Sequence, residues 1–215
     1  MRELIACSKA FVLIPLSLLL FACGGTPAEN IQESEIIAAV DLHLASNPPA
    51  SIAPLGGWSD EDTSFPMDIV TPKQSLARSR QDFPTLFALA DAGLLTITEE
   101  QVLTQNVFGK DEEMPGLRAE LTETGLTWYL PEQRRFAYAK LSVAQIDTIQ
   151  KVTDTAISVT VELEFETIAD WTNNEGIQAA YPGMADFLSN TPIIETFQLK
   201  FENKQWQVVQ SEDLM

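Results

Sequence analysis

Ala156-Ile-Ser-Val-Thr-Val-Glu-Leu-Glu-Phe165 alternates without interruption. Ile157, Val159, Val161, Leu163 and Phe165 fall on one side of an extended chain. Ser158, Thr160, Glu162 and Glu164 fall on the other. A period of two with β-branched residues predicts a strand in an antiparallel sheet with one wet face. Working outward, Phe136 to Ile149 reads as a second strand, bent along its length. Phe197, Leu199 and Phe201 alternate again, Asn203-Lys204 turns the chain, and Trp206 and Val208 return on the core side. The C-terminus is therefore expected to be a β-hairpin. Pro182 to Leu188 reads as a short helix opened by its proline.

The preceding half predicts helices. Ile36, Ile37, Val40 and Leu44 share one face of a helix from Glu33 to Ala45, which Asn47-Pro48-Pro49 ends. Ser46 to Pro66 is a long Pro-, Gly- and Asp-rich segment containing Trp58. A second helix is expected from Phe83 to Ala92, with Pro84 in its first turn and Gly93 as its C-cap. Thr98 is placed to cap a third from Glu99 to about Val107. An acidic loop then runs through Lys110-Asp-Glu-Glu113, followed by a short strand from Leu117 to Leu121. Thr122 would cap a helical turn reaching Tyr129. The class predicted is α+β: N-terminal helices, then an antiparallel β-sheet ending in a C-terminal hairpin. A curved sheet folded round a pocket is the alternative architecture.

The N-terminus carries a different message. Arg2 and Lys9 precede an apolar run from Ala10 to Ala22, which stops at Leu20-Phe21-Ala22-Cys23-Gly24-Gly25. This resembles the signal peptide and lipobox of bacterial lipoproteins. Leu20, Ala22 and Cys23 match the pattern; Phe21 departs from it, since Ala, Ser or Thr is commoner there. The resemblance implies cleavage before Cys23, acylation of its thiol, and a chain facing the periplasm from the cell envelope. Two or three acyl chains anchor stably, at about 0.8 kcal/mol per buried methylene. Gly24, rather than Asp, after the cysteine implies delivery to the outer membrane. Residues 1–22 are then the signal, 23–31 a lipidated flexible tether, and 32–215 a soluble domain. Its alternative division is a helical subdomain over 32–130 and a β-rich one over 131–215.

A second resemblance is local. Leu89-Ala-Asp-Ala-Gly-Leu-Leu95 and Ala119-Glu-Leu-Thr-Glu-Thr-Gly125 are similar to two stretches of winged-helix domains, the helix before a wing strand and the Leu-Thr-x-x-Gly turn. It implies topology alone. The formal charge of −18 repels nucleic acid, so no nucleic-acid partner is expected.

Charge and composition narrow the chemistry. Of two cysteines, Cys7 leaves with the signal and Cys23 is acylated, so neither a disulfide nor a thiolate site is expected. His43, the single histidine, lies at the edge of the first helix's apolar stripe, and one histidine supports no zinc centre. Carboxylates cluster at Asp60-Glu61-Asp62, at Asp111-Glu112-Glu113, and at Glu162, Glu164, Glu166 and Asp170. Paired carboxylates can cleave glycosides and clustered oxygens suit calcium, but solvated surface is the ordinary role of such runs. No Gly-rich phosphate loop is present; Gly56-Gly57 lacks the flanking pattern. Arg78-Ser79-Arg80 and Arg134-Arg135 are basic islands expected to pair with neighbouring acids. Among four tryptophans, Trp206 is expected in the core, and Trp171 is a binding anchor if exposed and a core residue if buried.

No catalytic, cofactor or metal residue is assigned; Cys23 is the one site. The sequence predicts a membrane-anchored, non-enzymatic accessory or binding protein with a protein partner in the envelope. The alternatives are a small-molecule or cation-binding lipoprotein and a carboxylate-dependent hydrolase of envelope polysaccharide.

Overall fold

The Ala156–Phe165 alternation lies in the middle of the main sheet. Its apolar side is buried from Ile157 to Leu163, while Glu164 is exposed. The computed structural model describes residues 26–55, 64–71, 76–105 and 109–210. Four antiparallel strands form this sheet: β7 (Ala139–Thr153), β8 (Ala156–Ile168), β9 (Ile193–Glu202) and β10 (Gln205–Val209), in the order β10-β9-β8-β7. Asp154-Thr155 closes the first hairpin. Asn203 and Lys204 close the last with φ of 53° and 67°, the left-handed pair a two-residue hairpin turn needs.

α1 (Glu33–Ser46) supplies the other layer. Ile36, Val40 and Leu44, spaced one turn apart, are buried against the sheet. The helix approaches the edge strands β7 and β10 more closely than the two inner ones, so the sheet curls around it. Register shifts at four points along β7 accompany this curvature, since each bulge bends and twists its strand.

Three-stranded sheets flank this unit. β2 (Met67–Val70), β4 (Asp111–Leu121) and β3 (Leu95–Gln105) form one, in the order β2-β4-β3. β1 (Ser51–Ile52), β6 (Arg135–Ala137) and β5 (Tyr129–Leu130) form the other, in the order β1-β6-β5. The helices are α2 (Leu76–Asp82), α3 (Pro84–Asp91), α4 (Glu123–Trp128), α5 (Glu175–Ala180) and α6 (Pro182–Ser189). α3 packs on α5, and one buried cluster runs from Ile36 to Trp206, continuous across residue 130. The class is α+β.

Two local expectations are corrected. The helix expected from Glu99 to Val107 is strand β3 as far as Gln105, paired residue for residue with β4; Val107 lies outside the described residues. Glu99-Glu100-Gln101 favours a helix, but pairing with a distant strand outweighs that preference. The Lys110–Glu113 loop is likewise strand from Asp111, so the strand expected at Leu117–Leu121 is longer. Gly116 sits inside β4 because a Cβ there would come within 2.6 Å of the Ile69 carbonyl oxygen and 2.5 Å of Val102 Cγ2. The strand expected over Phe136–Ile149 is broken at Tyr138 into β6 and β7.

A tight turn joins α3 to β3. α3 ends at Asp91, Gly93 takes φ +79°, and β3 begins at Leu95. Thr122 Oγ1 accepts the Gly125 N–H at 3.0 Å as the cap of α4. Trp206 is in the core; Trp171, in the 3-10 turn Asp170–Asn173, is buried as well, which removes it as a surface anchor.

Candidate ligand cleft

α1 turns its buried face to the sheet, and beside that contact Asp41, Leu44 and Ala45 form one wall of a cleft. The opposite wall begins where β7 leaves Tyr138 and contributes Lys140, Leu141 and Ser142. α4 and β5 close the end with Trp128 and Leu130. The cleft encloses about 520 Å³. That falls within the usual range for small-molecule sites, roughly 300–1,000 Å³.

Local folding rules put each side chain there. Thr122 caps α4, which orients Trp128 at the helix end. Gln133 Nε2 donates to the Ser46 carbonyl at 2.8 Å, tying the end of α1 to the turn between β5 and β6. Asp41 Oδ1 accepts the backbone N–H of Val143 at 2.9 Å, tying the same helix to β7. These two bonds brace the helical wall at both ends.

The polar side chains lining it are Asp41, Thr127, Lys140, Ser142 and Glu166. The Lys140 ammonium lies 5.8 Å from the centroid of the Trp128 ring, a cation–π contact at the rim. Asp41 and Glu166 bring two carboxylates to the same cleft. Asp41 is already engaged by the Val143 amide, so one carboxylate is committed to structure. The result is a mainly apolar cleft lined also by two acids, one base and the hydroxyls of Thr127 and Ser142.

His43 lies between Asp41 and Leu44 in sequence but on another side of α1. Its ring meets Phe197 edge to face at 5.8 Å, and burial holds its pKa below the ordinary histidine value. It borders two shallower hollows of about 480 and 720 Å³. The acidic groups are dispersed: Asp111-Glu112-Glu113 lies at the exposed start of β4, and Glu162 on β8 accepts a hydrogen bond from Gln145 Nε2 at 2.9 Å. Among the described residues, no three His, Cys, Asp or Glu side chains are grouped to hold a metal ion.

The basic islands have structural partners. Arg80 forks onto Asp91 at 2.6 and 2.9 Å with its guanidinium 4.7 Å from the Phe87 ring centroid. Arg78 pairs with Asp82, and Arg135 donates to the Ser51 hydroxyl and carbonyl. Cys23, Gly24, Gly56-Gly57, Trp58 and Asp60-Glu61-Asp62 lie outside the described residues. No helix among the described residues is long and apolar enough to cross a membrane.

The chain matches no protein-family model, no curated protein and no solved structure. The cleft thus stands on its own geometry. Asp41, Trp128, Lys140 and Glu166 converge from four elements spread over 126 positions of sequence. No local motif marks any of them. The one signal in the sequence is Trp128 at the end of a capped turn, where an aromatic is held at a surface.

Proposed function

We propose that this chain is a lipid-anchored, non-enzymatic binding protein of the bacterial envelope, taking a small, partly apolar ligand in the cleft between α1 and β7. The observation that carries the reading is the cleft itself: a hollow of ligand-sized volume with a mainly apolar lining, Trp128 at one end, and Asp41, Lys140 and Glu166 beside it. The anchor rests on the lipobox resemblance at Leu20-Phe21-Ala22-Cys23, and the outer-membrane, periplasm-facing placement on Gly24.

The chain lacking residues 1–22 and carrying Cys23→Ala, in detergent-free buffer, is titrated with the uncharged fluorophore N-phenyl-1-naphthylamine. Micromolar binding that Trp128→Ala weakens tenfold or more supports the cleft. Absent binding, or binding indifferent to that substitution, defeats it. The anchor has its own test. Radioactive palmitate should label the wild type and not Cys23→Ala; labelling that persists in the variant refutes acylation at this residue.

A second reading, an accessory subunit engaging another envelope protein, is favoured by a separate feature, the open edge of β3.

A further inference from the structure

β3 pairs with β4 on one side only, and among the described residues no strand pairs with its other edge. An edge strand directs alternate backbone N–H and C=O groups outward, which makes it a template for another strand. Proteins ordinarily blunt such edges with lysine, proline, bulges or brevity. The other two long-sheet edges follow this custom. β7 is broken by four register shifts and carries Lys140 and Lys151. β10 is five residues long.

β3 has no lysine, proline or bulge, and its charges are Glu99 and Glu100 alone. Its eleven residues, Leu95 to Gln105, contain no lysine, arginine, proline or glycine, and pair with β4 without a register shift. Leu103 is 66% exposed near its outer end. Glu99, Gln101 and Gln105 are exposed as well, and Glu100 pairs with Arg118 at 3.6 Å. Asp111, Glu112 and Glu113 lie across the hairpin, opposite Gln105, Thr104 and Leu103.

We infer that the free edge of β3 is a strand-addition site for an extended, basic segment of a partner protein with apolar residues at alternate positions. Backbone pairing supplies the attraction along the edge, Leu103 offers an apolar contact, and the flanking carboxylates select positive charge. A second copy of this chain is the poorer occupant. It brings the same carboxylates against themselves, on a chain of formal charge −18. This inference does not depend on the cleft.

The test uses the full chain in neutral detergent at low salt with fluorescent Lys-Val-Lys-Val-Lys-Val-Lys, and Glu-Val-Glu-Val-Glu-Val-Glu as the control. Backbone hydrogen exchange is resolved to single residues. The basic peptide should bind, and alternate amides between Glu99 and Gln105 should exchange at least tenfold more slowly. The alternate pattern is the signature, because inward amides are already bonded to β4. Leu103→Lys should weaken binding at least tenfold at an unchanged melting temperature. Should that variant lose stability, the exchange pattern of the unsubstituted chain still decides. Absent binding, equal binding of the acidic peptide, or binding that leaves β3 exchange unchanged overturns the inference.

Discussion

Asp41 Oδ1 accepts the backbone N–H of Val143 at 2.9 Å, joining α1 to an edge strand 102 residues later. β7 lies at the sheet edge, and its pairing with β8 shifts register between Val143 and Gln145. An amide on such an edge has no strand to bond, and the helix carboxylate satisfies it. The same bond sets the distance between the two walls of the cleft. Asp41→Ala should destabilise the fold by about 1–2 kcal/mol, the scale of a half-buried hydrogen bond to a charged acceptor. It should also weaken fluorophore binding in the cleft. Urea denaturation and the fluorophore titration measure the two effects; Asp41→Asn, which keeps an acceptor oxygen, should lie between.

Gly125 occupies a place where the backbone comes too close for a side chain. A Cβ there would collide with the Leu94 carbonyl, to which the Thr122 N–H also donates at 3.1 Å. Gly125→Ala should cost roughly 2–4 kcal/mol, an overpacking penalty against unyielding backbone. Thr122→Ala, which removes the α4 cap and the 2.6 Å bond to the Gly93 carbonyl, should cost about 1–2 kcal/mol. Thr122→Ser should be close to wild type. Thermal denaturation of the three variants checks the order.

Tyr138 is buried against Phe187, and burial raises its phenol to about 12. The folded state therefore favours the protonated ring. Its contribution is complete below the unfolded phenol value near 10 and is lost as pH climbs from there to about 12. Tyr129 and Tyr181 are raised by burial too and act in the same direction. Absorbance at 295 nm should show delayed ionisation in the native protein, and Tyr138→Phe should flatten the alkaline fall in melting temperature. An ordinary phenol titration for every tyrosine would contradict this.

His43 works at the opposite end of the scale. Burial lowers its pKa, so the unfolded chain takes up the proton first on acidification. Its stabilising contribution is complete above about 6.5 and declines as pH falls from there toward the lower folded value. Carboxylates such as Asp91, held low by Arg80, add their own acid loss at lower pH. Comparing wild type with His43→Gln isolates the histidine. The variant should lose less stability between pH 7 and 5, and proton NMR should place the wild-type ring titration below 6.5.

Short-range patterns made much of the architecture legible. The alternation of Ile157 through Leu163, the one-turn spacing of Ile36, Val40 and Leu44, the Asn203-Lys204 turn and the Thr122 cap each act within a few residues. In each case the side-chain period or the turn chemistry is the physical cause, so reading the chain in order was enough. Glu99 to Gln105 behaves differently. Its local preference is helical, and only pairing with Asp111–Leu121 makes it a strand.

The cleft belongs wholly to the tertiary level. Asp41, Trp128, Lys140 and Glu166 meet because the sheet curls around α1 and because a helix carboxylate binds an edge amide. Trp171, which either role would have suited, is buried by the same packing. Period and turn chemistry depend on neighbours in the chain, and the sequence states those outright. Which strands pair, which tryptophan is covered and where a hollow remains depend on the packing of distant segments, and those are settled only when the layers close.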